Sequence, residues 1–84
     1  MEKKIYMADL CYYTEENIPE CGATIFIRSE DDLTSIPRHE LKENIFIQEA
    51  LEEAGCEGII NVFKISDKDF EEYYKDENPV LIEI

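Results

Sequence analysis

Between Lys4 and Thr14 apolar and aromatic side chains alternate onto both sides of an extended chain, with Ile5, Met7, Cys11 and Tyr13 on one side and Tyr6, Ala8, Leu10 and Tyr12 on the other. A segment rich in Ile, Tyr, Met and Leu with this period reads as a strand whose two faces are both at least partly covered. The rest of the chain must supply that cover.

The remaining segments suggest how. Thr14 to Gly22 contains Asn, Pro and Gly and reads as a long hairpin loop, and Ala23 to Arg28 reads as a β-branched second strand. Ser35, with Pro37 behind it, is a helix start, and Gly55 a C-terminal stop, for one helix of about 18 residues. Leu41, Ile47, Ala50, Leu51 and Ala54 gather on one broad face of that helix, opposite Lys42, Glu49, Glu52 and Glu53. The run Ile45-Phe46-Ile47 resembles a strand, but its Glu, Lys, Gln and Ala flanks favour helix. Gly58 opens a strand over Ile59 to Ile65. Ser66, with Asp69 three residues on, caps a short helix in which Phe70, Tyr73 and Tyr74 share a face. Asn78-Pro79 ends it, and Val80 to Ile84 form a last strand. The expected fold is a single α+β domain over residues 1–84. Its ββαβαβ order implies a two-layer α/β sandwich with a four-stranded mixed sheet, and right-handed crossovers are expected to put both helices on one face.

Composition narrows the classes of partner. The 84 residues include 21 acidic and 8 basic side chains, a formal charge of −13, yet 44% are hydrophobic and nine are Tyr or Phe, so a folded domain is expected instead of disorder. A chain of this size buries somewhat more than ~60% of its unfolded surface, which leaves a thin core and puts any site on the surface. Direct nucleic-acid binding needs a Lys/Arg surplus and is excluded, and docking on an anionic membrane is disfavoured for the same reason. Cys11, Cys21 and Cys56 are odd in number with no CxxC spacing, and no leader-like or membrane-spanning run occurs, so the expected location is cytoplasmic with reduced thiols.

Laid on the expected elements, the charge separates into ends. The hairpin loop and the two helix C-termini collect Glu15, Glu16, Glu20, Glu52, Glu53, Glu57, Asp76 and Glu77 against Lys75 alone, a −7 pole. The opposite end collects Lys3, Lys4, Arg28, Arg38, Lys42, Lys64 and Lys68 with nine acids. Acids in the last turn of a helix oppose its dipole by roughly 0.3–1 kcal/mol each relative to a base, so Glu52, Glu53, Asp76 and Glu77 cost stability where they stand. Surplus Glu also serves plain solubility. The functional alternative is an anionic pole aimed at a basic partner, with Tyr12 or Tyr13 beside Glu15 and Glu16 as an aromatic anchor.

Motifs for catalysis, cofactors or metals are weak. Asp67, Asp69 and Glu71 alternate like a calcium loop, but Glu72 stands at the sixth position and Asn78 at the twelfth, where Gly and Glu are required. His39 is expected far from Cys21 and Cys56, which argues against a zinc set and a Cys-His nucleophile pair. Gly55-x-x-Gly58 follows a helix and cannot cradle phosphate. Asp9 is a lone acid among apolar and aromatic neighbours, an edge position or a general acid lacking its partner. No catalytic residue, cofactor or metal is therefore expected.

The leading expectation is a non-enzymatic acidic interaction module that inhibits a partner by occupying its basic, nucleic-acid-binding groove. Phosphates advance about 3.4 Å per residue along one DNA strand; carboxylates four apart on a helix, such as Glu49 and Glu53, advance about 6 Å, close to two such steps. In charge and size, though in no motif, the chain resembles the small acidic nucleic-acid mimics that phages and mobile elements deploy against restriction and CRISPR nucleases. The alternatives are a small cytosolic regulatory or scaffold domain that self-associates through an exposed sheet edge or the Tyr-bearing helix face, and, last, a small carboxylate- or metal-dependent enzyme.

Overall fold

A computed structural model describes residues 2–84. β1 (Lys4–Tyr13) and β2 (Pro19–Ser29) form an antiparallel hairpin; helices α1 (Arg38–Leu41) and α2 (Ile45–Ala54) precede β3 (Gly58–Ile65). Next come α3 (Asp67–Asp69), which continues through a π turn at Phe70–Tyr74 and a 3-10 turn at Lys75–Glu77, and β4 (Val80–Glu83). The result is an α+β fold on a four-stranded mixed sheet of order β3-β1-β2-β4, in which β3 is antiparallel to β1 and β4 parallel to β2.

The helices lie on opposite faces of this sheet, so the arrangement has three layers and the expectation of both helices on one face is corrected. Tyr6, Ala8 and Leu10 of β1 and Ile25 and Ile27 of β2 pack with Leu33, Leu41, Ile47, Ala50 and Leu51. Ile5 of β1 and Phe26 of β2, which point the other way, pack with Phe70, and Met7, Ile65 and Tyr74 join them. The reason is directional. The β2-to-β3 connection crosses the sheet one way over β1, and the β3-to-β4 connection crosses back over both central strands. Two crossovers of the same hand that run in opposite directions must pass over opposite faces.

The expected 18-residue helix is broken in two. The Asn44 side chain accepts hydrogen bonds from the backbone N–H of Phe46 (2.9 Å) and Ile47 (3.3 Å) and starts α2 afresh. The single face expected for Leu41, Ile47, Ala50, Leu51 and Ala54 is corrected as well, because at about 100° per residue Leu41 in a continuous helix would point roughly 130° away from the other four. The break lets Leu41 and Ile47 enter one core. Ile45, Phe46 and Ala54 remain exposed. In the second helix the Ser66 hydroxyl accepts the Asp69 N–H at 3.0 Å, as its sequence implies. The wider π winding then turns Tyr73 outward (65% exposed) while Phe70 (5%) stays buried, so the expected common face holds only Phe70 and Tyr74. Both rings pack on Phe26 with centroids 5.1 Å apart.

β2 begins earlier than its sequence suggests, at Pro19, leaving a short turn at residues 14–18. Thr14 N–H donates to the Ile18 carbonyl (3.0 Å), Asn17 N–H donates to the Thr14 carbonyl (2.9 Å), and Asn17 takes φ 65°. A register shift between Leu10 and Cys11 makes Gly22 a bulge. A Cβ there would lie 2.9 Å from the Tyr12 ring and 3.0 Å from the Cys56 sulfur, so the hairpin end closes only around glycine.

Candidate functional site

The hairpin end is built by three segments. The β1-β2 turn carries Glu15 and Glu16. Glu20 is not in a loop, as its sequence suggested, but on β2 opposite Tyr12. The α2 C-terminus reaches the same end because Glu57 N–H donates to the Cys11 carbonyl at 2.8 Å and Gly58 pairs with Cys11. Gly55 closes α2 in the left-handed region at φ 69°, turning the chain toward β3 and leaving Glu52 and Glu53 in the exposed last turn.

Asp76 and Glu77 do not join this group. β4 is short and starts opposite Ile25, whose partner on β1 is Ala8, so the helical segment before it ends at mid-sheet and on the face away from α2. Six of the eight acids named from the sequence therefore share the hairpin end with no base among them, and the other two stand apart. The −7 pole is reduced to these six acids, with Asp76, Glu77 and Lys75 outside it. Glu53 and Glu77 approach from opposite faces where β4 begins, each lining a groove that includes Thr24 and Val80.

Most of the six are unengaged. The side chains of Glu15, Glu16, Glu52, Glu53 and Glu57 are exposed and make no ion pair or hydrogen bond among the described residues. Glu20 is the exception, since its carboxylate accepts the Tyr12 hydroxyl at 2.8 Å and raises the Tyr12 pKa through that bond and its charge. Tyr12 is thus tied across to the neighbouring strand β2. Tyr13 and Ile18 complete an exposed apolar rim. At the far end, Glu83 lies 3.9 Å from both Lys3 and Arg28, so acids there are partly neutralised.

The thiols and the imidazole are separated as their sequence positions imply. Cys11 and Cys21 are register partners, and Cys56 adjoins the same end. Burial, then the neighbouring Cys11 and Cys21, raises the Cys56 thiol above its ordinary 9.0. His39 is exposed on α1 beside Asp31, Glu40 and Glu43 at the other end. Among the described residues no group of three or more His, Cys, Asp or Glu side chains is arranged to hold a metal ion, and no helix is long and apolar enough to cross a membrane.

Asp9 occupies neither an exposed edge nor a closed pocket. It stands half-buried at the centre of β1, and its Oδ1 accepts the hydroxyl of Thr24, its partner on β2, at 3.0 Å. Asn61 of β3 is its partner on the other side, so a polar row crosses three strands on the face that carries Met7 and Phe26. The sequence reading missed this row because the register between strands is not encoded within any one of them. Compared with family models, with curated proteins and with solved structures, the chain matches none.

Proposed function

We propose that the protein is a non-enzymatic acidic interaction module that inhibits a partner by occupying its basic, nucleic-acid-binding groove with the hairpin end, as anti-restriction and anti-CRISPR mimics do. The observation that carries this reading is the set of five exposed and unengaged carboxylates, Glu15, Glu16, Glu52, Glu53 and Glu57, at an end without a base. A surface evolved only for dispersal has no need to segregate its charges. Here seven of the eight bases lie toward the opposite end, some against carboxylates. Uncompensated charge on a body of 40 × 27 × 18 Å gives a narrow anionic tip suited to a cleft lined by Lys and Arg.

The test is competition. The protein is expected to displace DNA or RNA from its basic partner, with an affinity that falls steeply as salt rises. Inhibition that is indifferent both to salt and to charge reversal at Glu15, Glu16, Glu52 and Glu53 refutes the reading.

One observation favours a second reading, a self-associating regulatory or scaffold domain. β3 is an edge strand of eight residues without proline, with Phe63 exposed, and such an edge is a template for pairing with another chain. It predicts a concentration-dependent dimer that the same charge reversals leave unchanged, read by sedimentation.

A further inference from the structure

Where the helical segment 67–77 leaves the upper part of its sheet face open, a cleft of about 420 Å³ remains, lined by Met7, Asp9, Thr24, Phe26, Tyr74 and Glu77 together with the Asn78–Val80 turn. That volume lies within the ~300–1,000 Å³ range of small-molecule sites. Its floor is apolar: Met7, Phe26 and the ring of Tyr74. Its charged groups are two carboxylates, and no basic side chain lines it. The Thr24 hydroxyl is already spent on Asp9 Oδ1, so Asp9 Oδ2 and the Glu77 carboxylate are left as acceptors without a partner among the described residues. A ligand for this cleft must bring hydrogen-bond donors, positive charge and an aliphatic or flat body.

We infer that the cleft is a receptor for one arginine side chain of a partner protein. The guanidinium donates to Asp9 Oδ2 and Glu77 and stacks on Tyr74, while its methylene stem covers Met7 and Phe26. Arginine fits better than lysine because a planar fork of five donors can serve two separate carboxylates and still present a face to an aromatic ring, whereas an ammonium is a point charge with a large hydration shell. Carboxylate hydrogen bonds from a charged donor are about twice as strong as neutral ones, and the half-buried position of Asp9 reduces its screening. That the arginine belongs to a protein rests on the function proposed above; the chemical preference of the cleft does not.

The test therefore uses no partner. Capped arginine (N-acetyl-arginine methylamide) is titrated into the labelled protein and followed by NMR, in parallel with capped lysine, capped norleucine and agmatine. The expected result is a saturable shift confined to residues around Asp9, Thr24, Phe26 and Tyr74, at least fivefold weaker for lysine and tenfold weaker for norleucine. Asp9→Asn is expected to weaken it at least fivefold, and Glu15→Lys/Glu16→Lys to leave it unchanged. Should Asp9→Asn disturb the fold, Glu77→Gln, on an exposed turn, carries the same expectation. Shifts that spread over all the acids and rise linearly, equal binding of lysine, or an unchanged response in Glu77→Gln would overturn the assignment. Agmatine binding a hundredfold tighter than capped arginine would reassign the cleft to a free amine. None of these outcomes touches the hairpin end, whose own test is the salt-dependent competition.

Discussion

Charge reversal at the hairpin end separates function from stability in one variant. Glu15, Glu16, Glu52 and Glu53 replaced together by Lys change the net charge from −13 to −5, since each exchange adds two units. Glu52 and Glu53 stand in the last turn of α2, which holds no base, so each reversal replaces an unfavourable dipole contact by a favourable one worth about 0.3–1 kcal/mol. Glu15 and Glu16 sit in a turn where neither side chain has a partner among the described residues, and their exchange is close to neutral, since two adjacent lysines repel one another as the two glutamates do. The sum is a gain of about 0.6–2 kcal/mol. For a domain of this size that corresponds to a melting temperature about 2–16 °C higher. Thermal unfolding at low salt measures it, with the gain shrinking as salt screens the exposed charges. The same variant is expected to lose competition with nucleic acid for the partner. A variant both more stable and inactive ties the carboxylates to binding; a lower melting temperature refutes the electrostatic reasoning, and retained competition refutes the function.

Three further outcomes follow from the packing. Phe70→Ala removes the ring that fixes the helical segment 67–77 to Phe26 and Ile5, at an expected cost of about 3–5 kcal/mol in urea unfolding. A loss below 1 kcal/mol would mean that this segment is not part of the cooperative core. Gly55→Ala meets open space but must hold φ 69°, so it is expected to cost about 1–2 kcal/mol through backbone strain alone, again read by urea. Burial, helped by Asp32 and Asp31 and offset by a Leu33 backbone hydrogen bond, raises the Tyr6 phenol above its ordinary 10.0, and burial raises the Cys56 thiol above 9.0. Because both groups are held neutral in the folded state, their contribution is complete below those values. It is lost as pH rises through the higher folded-state values, so stability should fall on the alkaline side from about pH 9 upward. A flat alkaline profile would contradict this.

The faces of β1 are legible in sequence, and they bear on where the helices lie. A strand with Ile5 and Met7 on one side and Tyr6, Ala8 and Leu10 on the other requires cover on both, which is how the helices are divided. The cap at Ser66, the stop at Gly55 and the four strands were equally local and were read directly. Asn44 is a local signal too, a strong N-cap residue, masked by apolar residues on both sides of it. The crowding of Tyr12 and Cys56 around Gly22 involves residues 34 positions apart and left no local trace.

The sequence by itself determined the order of strands and helical segments, the total charge and most of the buried positions along each strand, because hydrophobic period and cap chemistry act over only a few residues. Tertiary structure decided the strand order, and through it almost everything about the site. Placing β3 and β4 at opposite edges reversed the direction of the second crossover, which sent α2 and the helical segment 67–77 to opposite faces. The short β4 then stopped Asp76 and Glu77 at mid-sheet and left Glu77 facing Asp9 across a cleft. Both effects depend on which strands become neighbours. Neighbours are chosen by the competition of whole faces for burial, a quantity no single segment contains.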